Sequence, residues 1–162
     1  MRIAIGSDHA GYVLKAEIAC WLVEQGYQVR DLGTGNAEDS VDYPDFARAV
    51  AQAVAAGECD LGIAICGTGI GVSITANKVP GVRAAVCTDT YMARMSRQHN
   101  DANVLCLGGR VVGIGLALDI VAAWLSASFE GGRHARRVAK YEPAATPNFK
   151  LQTSKSEDVE SG

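Results

Sequence analysis

The residues best suited to chemistry form one short stretch, Cys66-Gly67-Thr68-Gly69-Ile70-Gly71, between an apolar run and a helix-like segment. Glycines in such a turn let backbone N–H groups approach a ligand, and the start of the following helix favours negative charge. The same position stabilises a thiolate, so Cys66 is a candidate base or nucleophile. The Thr68 hydroxyl could cap the helix or face a developing oxyanion. This stretch therefore predicts an anion-binding turn that carries a reactive thiol.

Other glycine-rich motifs fit this stretch less well. The Walker A pattern GxxxxGK[ST] is absent, and the spacing G-x-G-x-G differs from the dinucleotide fingerprint G-x-G-x-x-G. The next predicted strand ends near Cys87-Thr88, without an acidic residue to hold a ribose. A purely structural strand-to-helix turn stays open as an alternative, since glycines often serve only the backbone.

Further polar residues stand near the ends of the predicted strands, where parallel sheets bind their ligands. Asp8-His9 follows the first strand, His99-Asn100-Asp101 precedes the fifth, and Gly108-Gly109-Arg110 follows the fifth. A lone histidine is more often structural than functional. Because two of the three histidines in the chain occupy such positions, we expect His9 and His99 to meet at the ligand-binding edge.

Two arginines near the end of the chain are candidates for binding an anion. Arg133 and Arg137 are four residues apart, so on a helix both guanidinium groups share one face. Such a face is either simply solvated or a bidentate clamp for phosphate, which suits the planar arginine fork. The net charge of −3 predicts no basic surface for nucleic acid, so attraction for an anionic ligand has to be local.

Strand-like and helix-like segments alternate along the chain and have to position these residues. The predicted strands are Arg2–Ser7, Tyr27–Leu32, Leu61–Ile65, Val82–Cys87 and Val104–Leu107. The predicted helices are Ala10–Gln25, Tyr43–Ala56, a segment ending near Lys78, Asp89–Gln98, Val112–Ser126 and Arg133–Tyr141. This alternation predicts an α/β fold of three layers, α/β/α and Rossmann-like, around a five-stranded parallel sheet.

The length of 162 residues suits one domain with a core, which we place at residues 1–142. We expect the polar segment 143–162 to be a mobile tail. We predict neither a signal peptide nor a membrane span, because no cleavage-site pattern occurs and no apolar stretch reaches roughly 18 residues. Five cysteines without paired spacing favour a reducing cytoplasm and small, buried thiols, and they predict no metal site.

Six separated motifs resemble the type B ribose-5-phosphate isomerases of the ribose/galactose isomerase family. They are GSDHAG at 6–11, DYP at 42–44, CGTGIG at 66–71 with ANK at 76–78, SRQHND at 96–101, GGRVVG at 108–113 and EGGRHARRV at 130–138. The resemblance covers about residues 1–142. Some family members carry a glutamate base a few residues beyond the cysteine position. Here that later position is Val72, which indicates the cysteine-base subtype.

The resemblance implies an aldose–ketose isomerase that interconverts ribose 5-phosphate and ribulose 5-phosphate through an enediol, without a cofactor or metal. Cys66 would be the base at carbon, His99 would assist opening of the furanose ring, and Thr68 would help to hold the enediolate oxygen. Arginines would grip the phosphate group. The other substrate-binding residues implied by the resemblance are Asp8, His9, Tyr43, Gly67, Gly69, Ile70, Gly71, Asn100, Arg110, Arg133 and Arg137.

Family members of this kind are homodimers or tetramers with the site at the subunit interface. The resemblance therefore implies that the C-terminal helix packs on a partner subunit, and no nucleic-acid or membrane partner is expected. Three alternatives stay open. The substrate could be another phosphorylated aldose such as allose 6-phosphate or galactose 6-phosphate, or the chain could be a non-catalytic module that binds a sugar phosphate or nucleotide. A thiol redox protein fits less well, because no C-x-x-C occurs.

Overall fold

The computed structural model of the protein describes residues 1–142, so the expected mobile tail at 143–162 lies outside the described residues. The strands are β1 (Arg2–Ser7), β2 (Gln28–Asp31), β3 (Leu61–Cys66), β4 (Ala84–Val86) and β5 (Val104–Gly108). The helices are α1 (Tyr12–Glu24), α2 (Tyr43–Ala55), α3 (Ile70–Ala76), α4 (Thr90–Asn100), α5 (Ile114–Ser126) and α6 (Gly132–Tyr141). A short 3-10 turn, His9–Gly11, precedes α1, and the Asp8 carboxylate caps this turn.

The five strands form one parallel sheet in the order β2-β1-β3-β5-β4, which confirms the predicted sheet. From β1 the chain moves outward to β2 and then crosses back to β3 on the other side. The carboxyl ends of β1 and β3 therefore flank a topological switch point, the place where such sheets bind ligands. Ser7 ends β1 and Cys66 ends β3, so the thiol lies at this point.

The two faces of the sheet differ in the size of their side chains. Large residues such as Ile63 and Leu105 pack against α1, α4 and α5 on one face. Small residues such as Ala64 and Cys106 face α2 and α3 on the other. Helices cover both faces, which confirms the predicted three layers. The Cys66 side chain lies on the small-residue face, so α2 and α3 approach it closely.

Two element boundaries differ from the prediction in ways that matter for the site. Strand β4 is only Ala84–Val86, and α4 continues to Asn100 instead of stopping at Gln98. Asp101 ends α4 in the left-handed conformation at φ 48°, and its N–H group donates to the Arg97 carbonyl. His99 therefore stands in the last turn of a helix. Within residues 1–142, no helix is both long and apolar enough to cross a bilayer.

Candidate active site

A cleft of about 420 Å³ opens at the carboxyl ends of β1 and β3. Three segments build it: the end of β1, the start of α2, and the glycine turn that joins β3 to α3. Its lining residues are Asp8, Tyr43, Cys66, Gly67, Thr68, Ile70, Gly71 and Ile74. The structure thus brings together most of the site residues predicted from the first half of the chain.

The Cys66 thiol lies at the base of this cleft. Its Sγ accepts a hydrogen bond from the Gly69 N–H group at 3.2 Å, and only 4% of the residue is exposed. Gly69 has φ 81°, and a Cβ at this position would lie 3.0 Å from the Leu107 carbonyl carbon. Only glycine meets both conditions without strain. The turn therefore presents an N–H donor to the sulfur at the base of the cleft.

The end of β5 holds the glycine turn in place. The Gly109 N–H group donates to the Cys66 carbonyl at 2.8 Å, and the Arg110 N–H group donates to the Gly67 carbonyl at 3.0 Å. Thr68 Oγ1 accepts from the N–H group of Ile70, the first residue of α3, at 3.3 Å. Because the hydroxyl acts as acceptor there, its own proton is left to point at a ligand.

Asp8 and His9 are oriented by backbone N–H groups. Asp8 Oδ1 accepts from Gly11 N–H at 3.0 Å, and Asp8 lines the cleft while only 6% exposed. His9 Nδ1 accepts from the Val41 N–H group at 3.2 Å. A neutral His9 ring therefore carries its proton on Nε2, which makes that nitrogen a hydrogen-bond donor.

Tyr43 begins α2 and forms one wall of the cleft. A Cβ added to Gly71 would lie 2.6 Å from the Tyr43 ring, so the ring sits directly against the glycine backbone. Any larger residue at position 71 would displace it. The glycine at this position therefore serves close packing between the turn and the aromatic wall.

Lys15 is a supporting residue that the sequence analysis missed. Its side chain is buried, and its Nζ lies 2.6 Å from the Asp31 carboxylate and 2.8 Å from the Thr34 carbonyl. These bonds fix the start of the loop that carries Val41 to His9. The sequence did carry a signal for the burial of Lys15. This residue stands three positions before Ile18, on the edge of the apolar stripe of α1.

The other predicted site residues separate into two places. Arg110 stays at the cleft, where its Cδ would lie 3.6 Å from a Cβ added to Gly67. His99 and Asn100 end α4 at the opposite edge of the sheet, just before β5 starts. Val104 pairs with Gly62 at one end of β3 and Gly108 pairs with Cys66 at the other, which is about 13 Å along the strand.

The prediction that His9 and His99 meet at one edge is therefore wrong within a single chain. Helix α4 runs back across the sheet, so its C-terminus lies at the amino ends of the strands. Helix α6 packs on α4 of the same chain there and carries Arg133 and Arg137, both exposed. The contact of α6 with a partner subunit stays a prediction.

A pair of stacked histidines stands within this region. The rings of His99 and His134 have centroids 4.1 Å apart and planes that differ by 3°. Glu130 Oε2 lies 3.9 Å from His99 Nε2 and 3.7 Å from His134 Nε2. Burial lowers the pKa of His134, and the neighbouring His99 and Arg133 act in the same direction, while Glu130 opposes them. Sequence analysis assigned His134 no role in the site.

The remaining thiols lack the setting of Cys66. Burial raises the pKa of Cys87 to about 11 and raises that of Cys106 as well. Cys20 is exposed, so the expectation that it is a buried core residue is wrong. Its pKa is raised, mainly by the negative charge of Glu24. Neither burial nor a neighbouring carboxylate favours the reactive thiolate.

A thiol that accepts a backbone N–H bond at the switch point of a parallel sheet defines a class of protein. It is an α/β protein whose site suits a small anionic ligand beside a thiol. The ribose/galactose isomerase family matches residues 3–141, and the chain belongs to this family.

Individual relatives agree with this assignment. The chain is 58% identical over 137 residues to ribose-5-phosphate isomerase B of Escherichia coli K12, covering 85% of this chain and 91% of that protein. The structure is similar to that of Clostridium thermocellum ribose-5-phosphate isomerase B, with 68% identity and TM-score 0.85 over 86% and 94% of the two chains. It also resembles the Mycoplasma genitalium enzyme with bound ribulose-5-phosphate, with 48% identity and TM-score 0.83 over 86% and 92%.

Proposed function

We propose that this chain is an aldose–ketose isomerase that interconverts ribose 5-phosphate and ribulose 5-phosphate, a reaction of the pentose phosphate pathway. The observation that carries the proposal is the Cys66 sulfur, which accepts the Gly69 N–H bond at the base of the cleft. Family membership and the relatives named above support the same substrate. The five unpaired cysteines fit a reducing compartment, and we place the enzyme in the cytoplasm.

The reaction moves one hydrogen between C2 and C1 of the open-chain sugar. In the proposed mechanism the Cys66 thiolate removes the C2 proton of the aldose, and the electron pair shifts to the C1 oxygen. The resulting enediolate is stabilised by backbone N–H groups of the Gly67–Gly71 turn and by the Thr68 hydroxyl. One good donor of this kind contributes about 3 kcal/mol to the transition state. A proton then moves from the O2 hydroxyl to O1, the electron pair on O2 forms the C2 carbonyl, and the thiol returns its proton to C1, so that the ketose is formed.

Asp8, His9 and Tyr43 hold the sugar in this proposal. The Asp8 carboxylate accepts from a substrate hydroxyl, since it is fixed at the cleft wall by its bond to Gly11. The Nε2–H of His9 donates to a sugar or phosphate oxygen. Arg110 approaches the same turn and supplies one positive charge for the phosphate.

The complete site needs a second copy of the chain. Ring opening by His99 cannot serve the same chain's cleft, because the two groups stand at opposite ends of the sheet, about 13 Å apart along the strand. A two-fold dimer would place the partner subunit's His99 and Asn100, with the partner's Arg133 and Arg137, over this cleft. Two equivalent composite sites would result, as in any isologous pair.

Exposed apolar residues at the rim of the cleft support this dimer. Ile70 and Ile74 stand four residues apart on one face of α3, and each is 57% exposed. Both also line the cleft. Two isoleucines in water beside a binding site are best explained by a partner that covers them. The family resemblance also allows a tetramer built from two such dimers.

A coupled assay across a panel of sugar phosphates tests the function. We expect turnover of ribose 5-phosphate to exceed that of allose 6-phosphate and galactose 6-phosphate. A preference for either six-carbon sugar would replace the proposed substrate while keeping the reaction. Binding of ribose 5-phosphate without turnover of any sugar would instead indicate a non-catalytic binding module.

Alkylation of the thiol provides an independent test. Iodoacetamide is applied to the Cys20→Ser variant, in which the exposed competing thiol is removed. We expect one cysteine to react, with loss of activity, and ribose 5-phosphate to protect it. Mass spectrometry identifies the modified residue, and modification of Cys87 or Cys106 in place of Cys66 would contradict the proposed base.

A further inference from the structure

The ring of His134 packs against one face of His99, the proposed ring-opening histidine. The two imidazoles are stacked, with centroids 4.1 Å apart and planes within 3°. About 36% of the His99 side chain is exposed, whereas the side chain of His134 is only 6% exposed. One face of the His99 ring is therefore covered by a buried ring, and a ligand can approach only from the open side.

Contacts on both sides of the pair tie α6 and the residues that flank it to the rest of the chain, so the stack is set by the fold. The Glu130 N–H group donates to the Gln98 carbonyl at 3.0 Å, next to His99. At the far end of α6 the Tyr141 hydroxyl lies 3.3 Å from the Asn100 carbonyl. Arg83 also contacts Glu142 at 2.9 Å. These contacts hold His134 against His99 without a ligand.

The charged groups around the pair differ for its two rings. Glu130 faces both rings, and Arg133 and Arg137 lie on α6 with His134. Arg133 Nε donates to His134 Nε2 at 3.3 Å, so this nitrogen offers its lone pair. Burial also lowers the pKa of His134, which favours the neutral ring. His99 is therefore the ring of the pair that faces both the open side and the Glu130 carboxylate.

A metal ion shared by His99, Glu130 and His134 explains their closeness less well than ring stacking does. The ligand atoms of His99, Glu130 and His134 all lie within 4.8 Å of one another. A ligating imidazole nitrogen, however, directs its lone pair within the ring plane at about 2.0–2.1 Å from zinc. Because the two stacked rings lie in parallel planes, one ion cannot lie in the plane of both. The two histidines could therefore bind a shared metal ion only if a ring turned.

We propose that His134 and Glu130 are positioning residues for the partner-facing His99: His134 fixes its ring by stacking, and the Glu130 carboxylate faces its Nε2. This proposal rests on the proposed function. Ring opening delivers one proton to the ring oxygen O4 as the C1–O4 bond breaks, and the proton of the C1 hydroxyl group passes to water as the C1 carbonyl forms. The fixed imidazole of His99 supplies the first of these protons.

Ring opening can be separated from carbon chemistry by the choice of substrate. Ribulose 5-phosphate is acyclic, because the C5 oxygen that would close a furanose ring carries the phosphate. Deuterium entry at its C1 in D₂O needs Cys66 and the glycine turn, but no ring opening. In the His134→Ala variant we expect kcat for ribose 5-phosphate to fall about 10- to 100-fold, and deuterium exchange, followed by NMR, to change less than about twofold.

Two further variants separate stacking from charge. His134→Phe keeps a flat ring and should recover most of the lost turnover, while Arg136→Ala, on the exposed face of the same helix, is the matched control without effect. Glu130→Gln removes the carboxylate charge beside both rings but keeps the size of the side chain, so kcat for ribose 5-phosphate should fall while deuterium exchange of ribulose 5-phosphate changes less than about twofold.

Several results would overturn the proposal. An equal fall of both reactions in His134→Ala would show a general structural role, and unchanged ribose 5-phosphate turnover would show no role. Zinc binding by the wild type that is lost in His134→Ala would make the cluster a metal site. A wild-type protein that neither isomerises ribose 5-phosphate nor exchanges ribulose 5-phosphate refutes the proposed function itself.

Discussion

The carboxyl edge of the sheet and its amino edge carry two different kinds of functional group. At the carboxyl edge, the backbone N–H group of Gly69 donates to a nearly buried thiol, Cys66. At the amino edge, the exposed cations Arg133 and Arg137 project from a helix that is tied to its neighbour. In the proposed function, the first edge has the polar setting for bond-making and the second has the charges for binding a phosphate. Under that proposal, neither edge of one chain holds a complete site.

The largest effect is expected at the carboxyl edge. Replacement Cys66→Ala removes the base and should lower kcat about 10²- to 10⁴-fold, while the fold stays intact because the change is small. Cys20→Ser, which alters an exposed thiol, is the matched control and should keep full activity. Turnover of ribose 5-phosphate measures both variants. Near-normal activity of Cys66→Ala would remove the thiol from the mechanism.

The amino edge should respond in KM more than in kcat. Arg137→Ala removes one charged contact to phosphate, a loss of about 1.5–3 kcal/mol, so KM for ribose 5-phosphate should rise about 10- to 100-fold. Arg136→Ala, one residue away on the helix, should change KM little. We expect a much weaker effect of Arg137→Ala on any activity with unphosphorylated ribose. Equal effects on both sugars would exclude a phosphate role.

Packing within the cleft gives a smaller effect. A methyl group at Gly71 would lie 2.6 Å from the Tyr43 ring and displace this wall. We expect Gly71→Ala to lower kcat/KM roughly tenfold, since small displacements of substrate are amplified in the transition state. Gly115→Ala is the control, because a Cβ there meets nothing within 4 Å. Comparable kinetics for the two variants would show that Tyr43 does not shape the site.

The smallest effect concerns stability near the histidine pair. The pKa of His134 is lowered from 6.5, chiefly by burial, so the unfolded chain takes up a proton at a pH where the native ring stays neutral. The stabilising contribution is present above pH 6.5 and is lost as pH falls below it. Urea unfolding midpoints should therefore decline less on acidification in His134→Phe than in the wild type. Identical declines would contradict this assignment.

Sequence reasoning succeeded where function depends on local order along the chain. The passage from the apolar strand to Cys66 and Gly69 specifies a tight turn, because only glycine tolerates the left-handed backbone beside β5. The alternation of strands and helices was enough to predict the parallel sheet and its three layers. The strand order followed only from the structure, since no local signal places β5 between β3 and β4.

The location of His99 could not be predicted in the same way. Its prediction assumed a loop, whereas α4 continues for two more residues and ends at Asp101 in the left-handed conformation. The roles of Lys15 and His134 also depend on long-range contacts, with Thr34 and with His99 respectively. The spacing of residues along the chain carries little information about such contacts, so they are seen only in the folded structure.

A mixing experiment with two inactive variants tests the composite site most directly. Cys66→Ala lacks the base and His99→Asn lacks the ring-opening group, so each homodimer should be nearly inactive. After co-refolding in equal amounts, each mixed dimer would contain one site with both wild-type residues. Random pairing then predicts recovery of about one quarter of wild-type activity on ribose 5-phosphate. No recovery, with mixed dimers confirmed by mass spectrometry, would contradict a site shared between two chains.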